Sequence, residues 1–327
     1  MARQEPELIP IPVPAREIPP PSTISEAAQQ ALSNGAVTPR APWPRAHDKD
    51  AWRSFLSATD PVRQAAFAKV LENALATVET VEIAGVACHD CRPHEVDSPG
   101  KVFMFVHGGA FVAGGGLFAK ALGARWAQTL GARCVSVDYR MPPDHPFPAA
   151  PEDCLAVYRA LLGEMEPGGI VIGGSSAGGN IAAATILMAR DRAIPLPAGA
   201  VLLTPEADLT EAGDSFRTNQ DLDVVLKRGL PECNALYADG RDLKDPYISP
   251  LFASFEAGFP PTLIQSGTRD LFLSNSVLLH RRLRNAGIDA ELHVWEAMPH
   301  GGFAPGDVPE NAEVQAEVAR FFARVTG

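Results

Sequence analysis

The chain has 327 residues, 46% of them hydrophobic and 20% charged, with a formal net charge of -11. These proportions match globular averages and exclude a disordered or membrane-embedded class, while an acidic balance without Lys and Arg clusters argues against nucleic acid as a partner. The length suits one large α/β domain carrying a small addition.

The N-terminal stretch, "MARQEPELIPIPVPAREIPPP", holds Pro6, Pro10, Pro12, Pro14, Pro19, Pro20 and Pro21, so residues 1–21 are expected to form an extended strap lying on the body. Charges and prolines stand where a secretory peptide needs an unbroken apolar core, and no apolar run reaches spanning length; a cytoplasmic protein with no membrane span is expected. The five cysteines, Cys88, Cys91, Cys134, Cys154 and Cys233, are odd in number and scattered, which fits reduced thiols rather than a disulfide framework. "CHDC" at 88–91 has no second ligand pair at zinc-site spacing, so no metal site is expected.

From Ser22 to about Ala76 the pattern is helical. Ser25 is placed to cap "EAAQQALSNG", and Asp-led starts open "DKDAWRSFLSA" and "DPVRQAAFAKVLENALA". These helices precede the first strand and so form an addition to the core. After Thr77 the β-rich runs "VETVEIAGVAC", "KVFMFVH", "CVSVDY", "GIVIGG", "AVLLTP", "PTLIQSG" and "DAELHVWE" mostly alternate with helical stretches near 117–130, 149–163, 177–191, 275–286 and 309–325. Such alternation predicts a largely parallel sheet covered on both faces. Residues 206–258 break the rhythm and read as an insertion with a helix near "DVVLKRGLPECNALYADG".

Within "VIGGSSAGGN", Ser176 is the centre of a G-x-S-x-G sequence between a strand and a helix. A chain that turns sharply from one to the other strains the residue at the bend, and neighbouring side chains would collide, so glycine is needed on both sides. The turn would hold the hydroxyl at the carboxyl edge of the sheet, where open α/β folds place ligands. An alcohol needs a base, and the base needs an orienting group. Of the eight histidines, His300 in "MPHGGF" lies in a Gly/Pro loop just past a strand. His280 falls in a helical pattern and His293 in a strand, while His47, His89, His94 and His145 fall in segments expected to meet solvent. Asp270 in "SGTRDLF" follows another strand end and is the better orienting acid, with Glu206 and Asp208 as weaker rivals. The order Ser176, Asp270, His300 is that of α/β-hydrolases and differs from chymotrypsin and subtilisin. For a developing oxyanion, "FVHGGAFVAGG" offers the backbone of Gly108 and Gly109, and Ala177 offers the N–H after the serine. His107 is read as a structural residue that pins this loop.

Taken together, "HGGAF", "DYRMPPDHPFPAAPED", "GGSSAGGN", "DPYISPLF", "SGTRDLF" and "MPHGGF" resemble the bacterial hormone-sensitive-lipase-type esterases, and the likeness covers nearly everything after residue 77. The resemblance implies an α/β-hydrolase fold, a mostly parallel sheet with helices on both faces and a helical cap. Residues 1–76 would be the N-terminal arm and cap helices, and 77–327 the core with a cap insertion at about 206–258. It implies no cofactor and hydrolysis of short- to medium-chain acyl esters, with Ser176, Asp270 and His300 as nucleophile, acid and base and an oxyanion hole of Gly108, Gly109, Ala110 and Ala177. In relatives the strand near 289–295 and the following helix serve as a pairing surface, which implies a homodimer. Three departures stand out. Ser175 replaces the frequent aspartate before the nucleophile, Ala110 replaces a third glycine, and "MPPDHP" replaces "LAPEHP". A lactone would meet the same chemistry. The plant gibberellin receptors share the fold and bind without turnover after losing the base histidine, so the presence of His300 weighs against a receptor.

Overall fold

The computed structural model describes residues 9–38, 42–304 and 308–327; Pro6 and the rest of the first eight residues of the proline arm lie outside them. The described part of the arm is extended, with Ile9, Ile11 and Val13 exposed. Contrary to the expected strap, it meets the body only near its end, where Arg269 donates to the Pro19 carbonyl at 2.8 Å.

Among the described residues, eight strands form one sheet: β1 (Ala76–Ile83), β2 (Val86–Pro93), β3 (Val102–Val106), β4 (Arg133–Val137), β5 (Ile170–Ser175), β6 (Gly199–Leu203), β7 (Thr262–Gly267) and β8 (Ala290–Trp295). Their order is β1-β2-β4-β3-β5-β6-β7-β8; β2 runs antiparallel to β1 and β4, and every pairing from β4 to β8 is parallel. The run read as one strand over "VETVEIAGVAC" is a hairpin, because Ala84 and Gly85 take φ values of 52° and 80° and fold it back. β2 is thereby an internal strand. His89, expected at the surface, is buried on it with Nε2 3.3 Å from Asp138 Oδ2.

The central strands β3 and β6 are buried throughout and β5 is buried up to Gly174, with Ser175 at its end partly exposed, as a sheet covered on both faces requires. On one face Phe103, Phe105, Val171 and Val201 pack on α3 (Leu117–Leu130) and α9 (Pro309–Thr326) through Trp126, Phe321 and Phe322. The opposite face packs Met104, Val106, Ile172 and Leu202 on α4 (Ala149–Leu161), α5 (Ala177–Asp191) and α8 (Leu273–Asn285). Cys88 belongs to the second of these clusters and Cys91 to the first, so the two thiols of "CHDC" lie on opposite faces and do not converge on one ion.

Before the sheet come α1 (Glu26–Val37) and α2 (Lys49–Glu72). The Ser25 hydroxyl accepts from Ala28 N at 3.1 Å, as its capping role predicts. The separate helix expected to start at Asp60 is absent as such, because α2 continues through Pro61. An interior proline costs about 3 kcal/mol. Anchors on both sides offset it: Trp52 and Phe55 pack on Trp43 before the proline, and Phe67 meets Phe118 at 4.6 Å after it.

The insertion holds α6 (Ser215–Thr218) and α7 (Pro231–Ala238), the latter shorter than the helix expected near 223–240. It starts at Pro231, where a missing N–H is harmless. Trp52, Phe216, Leu226, Leu230 and Phe272 form one apolar cluster with Ala110 and Val112, so α2 and the insertion meet above the carboxyl edge of the sheet. A second cluster joins Ala28 and Leu32 of α1 to Met298 and Phe303, which flank His300. Trp52 is fully buried and its Nε1 donates to the Arg45 carbonyl at 3.1 Å. Trp52→Ala is expected to lower unfolding free energy by about 3–5 kcal/mol, read from urea titration.

Candidate active site

Ser176 stands between the last residue of β5 and the first of α5 with φ 59° and ψ -123°, a strained combination for a residue with a side chain. Its N–H donates to the Leu203 carbonyl at 2.8 Å, fastening the bend to β6. The glycines explain how the bend is possible. A Cβ at Gly174 would collide with the Gly178 carbonyl, and one at Gly178 with the carbonyls of Val106 and His107. Gly108 is held as closely, since a Cβ there would lie 2.8 Å from the Ser175 carbonyl oxygen and 3.2 Å from Ser176 Cβ.

The three residues expected to act together meet at this edge. His300 Nε2 lies 2.8 Å from Ser176 Oγ, and its Nδ1 lies 3.0 Å from Asp270 Oδ1. An ionised carboxylate only accepts, so Nδ1 carries the proton and Nε2 offers its lone pair to the hydroxyl. Asp270 is fully buried; Ser176 and His300 retain 8% and 6% exposure, enough for the hydroxyl to face an incoming molecule. Phe272 N donates to Asp270 Oδ1 at 2.9 Å and Ser266 Oγ to Oδ2 at 2.7 Å. The Phe272 ring stands edge-on to the imidazole at 4.7 Å and excludes water from that side.

Gly108, Gly109 and Ala110 follow β3 in a tight loop. Gly109 has φ 127° and its carbonyl accepts from Val112 N and Ala113 N; Ala110 has φ 54°. Among the described residues the N–H groups of Gly108, Gly109, Ala110 and Ala177 have no acceptor, so they are available to a bound oxygen. His107 supports the loop: Nδ1–H donates to the Gly108 carbonyl at 2.8 Å, the ring stacks on Tyr139 at 4.2 Å, and Tyr139 Oη donates to the His107 carbonyl at 2.9 Å. Burial lowers the His107 pKa to about 4, which leaves the ring neutral.

The weaker acid candidates do not reach the imidazole. Asp208 Oδ1 accepts from Thr210. Glu206 is fully buried, and burial, helped by neighbouring Glu211, pushes its pKa well above the usual range, with the Asn234 side chain pulling it back in part. Sequence reasoning missed Asn219 and Asp223 of the insertion. Asn219 Nδ2 donates to the carbonyls of Thr268 and Asp270 at 3.1 and 2.8 Å, and Asp223 accepts from the backbone beside both Asp270 and His300. Among the described residues no group of three or more His, Cys, Asp or Glu could hold a metal ion, and no helix is long and apolar enough to cross a membrane.

Residues 103–304 match the family described by its alpha/beta hydrolase fold. The chain belongs to that family. An acetyl-hydrolase of Streptomyces hygroscopicus is 34% identical to this α/β-hydrolase over 211 residues, 64% of this chain and 70% of that protein. The crystal structure of an esterase at 34% identity superposes with a TM-score of 0.87, covering 96% of this chain and 98% of the other. A crystal structure of an esterase from the bacterial hormone-sensitive lipase family, 30% identical, gives 0.76 over 93% and 99%. This α/β-hydrolase is therefore an esterase of the hormone-sensitive-lipase type.

Two outcomes follow for the packing of this site. Gly178→Ala forces a methyl group against two carbonyls, and a loss of about 1–3 kcal/mol or more is expected in denaturant titration. Glu206 has a folded-state pKa above its unfolded value, so it withdraws stability as pH rises past about 4.3 toward the folded value. The Tm advantage of Glu206→Gln over wild type should therefore be larger at pH 8 than at pH 5, by differential scanning calorimetry.

Proposed function

We propose that this α/β-hydrolase cleaves short- to medium-chain acyl esters through an acyl-enzyme intermediate, with Ser176 as nucleophile, His300 as base and Asp270 as the acid that orients it. The observation that carries the reading is the unbroken line from Ser176 Oγ to His300 Nε2 and from Nδ1 to Asp270 Oδ1. Ester hydrolysis itself is the activity of this esterase type.

In the proposed reaction His300 takes the hydroxyl proton as Ser176 Oγ attacks the ester carbonyl. The oxygen that gains charge is met by the N–H groups of the oxyanion hole, Gly108, Gly109, Ala110 and Ala177. Each such donor is worth about 3 kcal/mol in the transition state. The imidazolium, stabilised by the buried Asp270 carboxylate, returns the proton to the leaving alcohol. Water then attacks the acyl-serine with His300 again as base. A short acyl group is supported by the name of the Streptomyces relative. Residues 1–76 and the insertion at about 206–258 serve in this reading as the cap, which the shared cluster of Trp52, Phe216, Leu226 and Ala110 supports.

Ser176→Ala should lower kcat for p-nitrophenyl butyrate by on the order of 10⁴- to 10⁶-fold with the fold intact. Retention of wild-type turnover would refute the assignment. A rate panel over acyl length, alcohol bulk and ring closure separates open esters from lactones. Tight binding without turnover of any of them would favour a receptor.

A further inference from the structure

We infer that Asp223 of the insertion is a positioning residue for the proposed reaction, its one carboxylate setting the loop that bears Asp270 and the loop that bears His300 at a fixed distance from each other. The inference rests on the triad proposed above and adds a residue outside it.

Asp223 is fully buried. Its Oδ1 accepts from Val225 N at 2.8 Å and Leu226 N at 3.1 Å, which closes a turn on its own segment. Its Oδ2 accepts from Leu271 N at 2.8 Å and His300 N at 3.2 Å. Those last two donors belong to loops that follow different strands, β7 and β8, and they flank or bear the groups whose separation matters. Irregular backbone buried beside an active site must place its N–H groups somewhere, and here two loops place them on one side chain. Four N–H groups converge on it, so the group must be purely an acceptor; an asparagine would turn its own NH₂ toward one of the pairs. Asn219 works with it from the same segment by holding the Asp270 carbonyl.

The arrangement has an electrostatic side. The imidazole of His300 faces the Asp270 carboxylate through Nδ1, the Ser176 hydroxyl through Nε2 and the uncharged Phe272 ring, while Asp223 stands at its backbone. Burial pushes the Asp223 carboxyl above its usual range, and the nearness of His300 pulls it back.

The test compares Asp223→Asn and Asp223→Ser with wild type and Ser176→Ala, measuring kcat and KM for p-nitrophenyl butyrate from pH 5 to 9 per folded molecule, with folding checked by near-ultraviolet circular dichroism. A misplacement of about 1 Å costs on the order of 100-fold in rate, so kcat should fall roughly 10- to 100-fold with KM changed less than about threefold. The fall in kcat at nearly constant KM should hold across the whole pH range, a split that a merely structural role would not produce. If either folded variant keeps wild-type kcat while only Tm falls, Asp223 is structural and the inference is overturned. Failure of both variants to fold likewise makes the residue structural and overturns it. Wild-type turnover by Ser176→Ala would instead remove the triad reading, whereas an inactive Ser176→Ala beside a fully active Asp223→Asn removes only the role of Asp223.

Discussion

A buried imidazole needs an acceptor on one nitrogen and a donor on the other, and meeting that need for His300 governs the whole carboxyl edge of the sheet. The donor comes from the bend after β5 and the acceptor from the loop after β7, while the ring itself hangs from the loop after β8. Parallel strands make this possible, because they deliver their ends to one rim. The bend at Ser176 is the costliest part, since it holds a non-glycine residue at φ 59° and depends on glycines that let carbonyl groups approach within the space of a missing methyl.

What lies above the rim is more than a cover. α2 packs with the insertion, Phe272 and Ala110, and α1 packs on the residues flanking His300. Ser25 at the head of α1 donates through both its N–H and its hydroxyl to the Glu310 carboxylate at 2.7 and 2.8 Å, tying the N-terminal helices to α9. Segments added before and within the core are thus coupled to the loops on which the chemistry is proposed to run.

Features set by neighbouring residues were legible in the sequence. The bend around Ser176, the strand ends before Asp270 and His300, the Ser25 cap and most helix boundaries follow from local pattern, and the structure has them close to where the pattern puts them. Features set by distant partners were not. The continuity of α2 through Pro61 depends on aromatic contacts to Trp43 and Phe118, and the burial of His89 depends on the hairpin that makes β2 internal. Asp223 was the hardest to see. Within "DLDVVL" it is one more acid in a charged stretch, and only the approach of two loops from elsewhere gives it partners.

The place of Asn219 and Asp223 bears on how such an enzyme can diversify. Substrate range in a capped hydrolase is most readily altered by exchanging the segment over the entrance, but the segment proposed here as the cap also holds the backbone of the loops that carry Asp270 and His300. A graft from a relative that lacks the two side chains would change the doorway and slacken the works in one step. Drift or engineering is therefore freer in α7 and the turns around it than in residues 219–226, where a new entrance has to keep the old scaffolding.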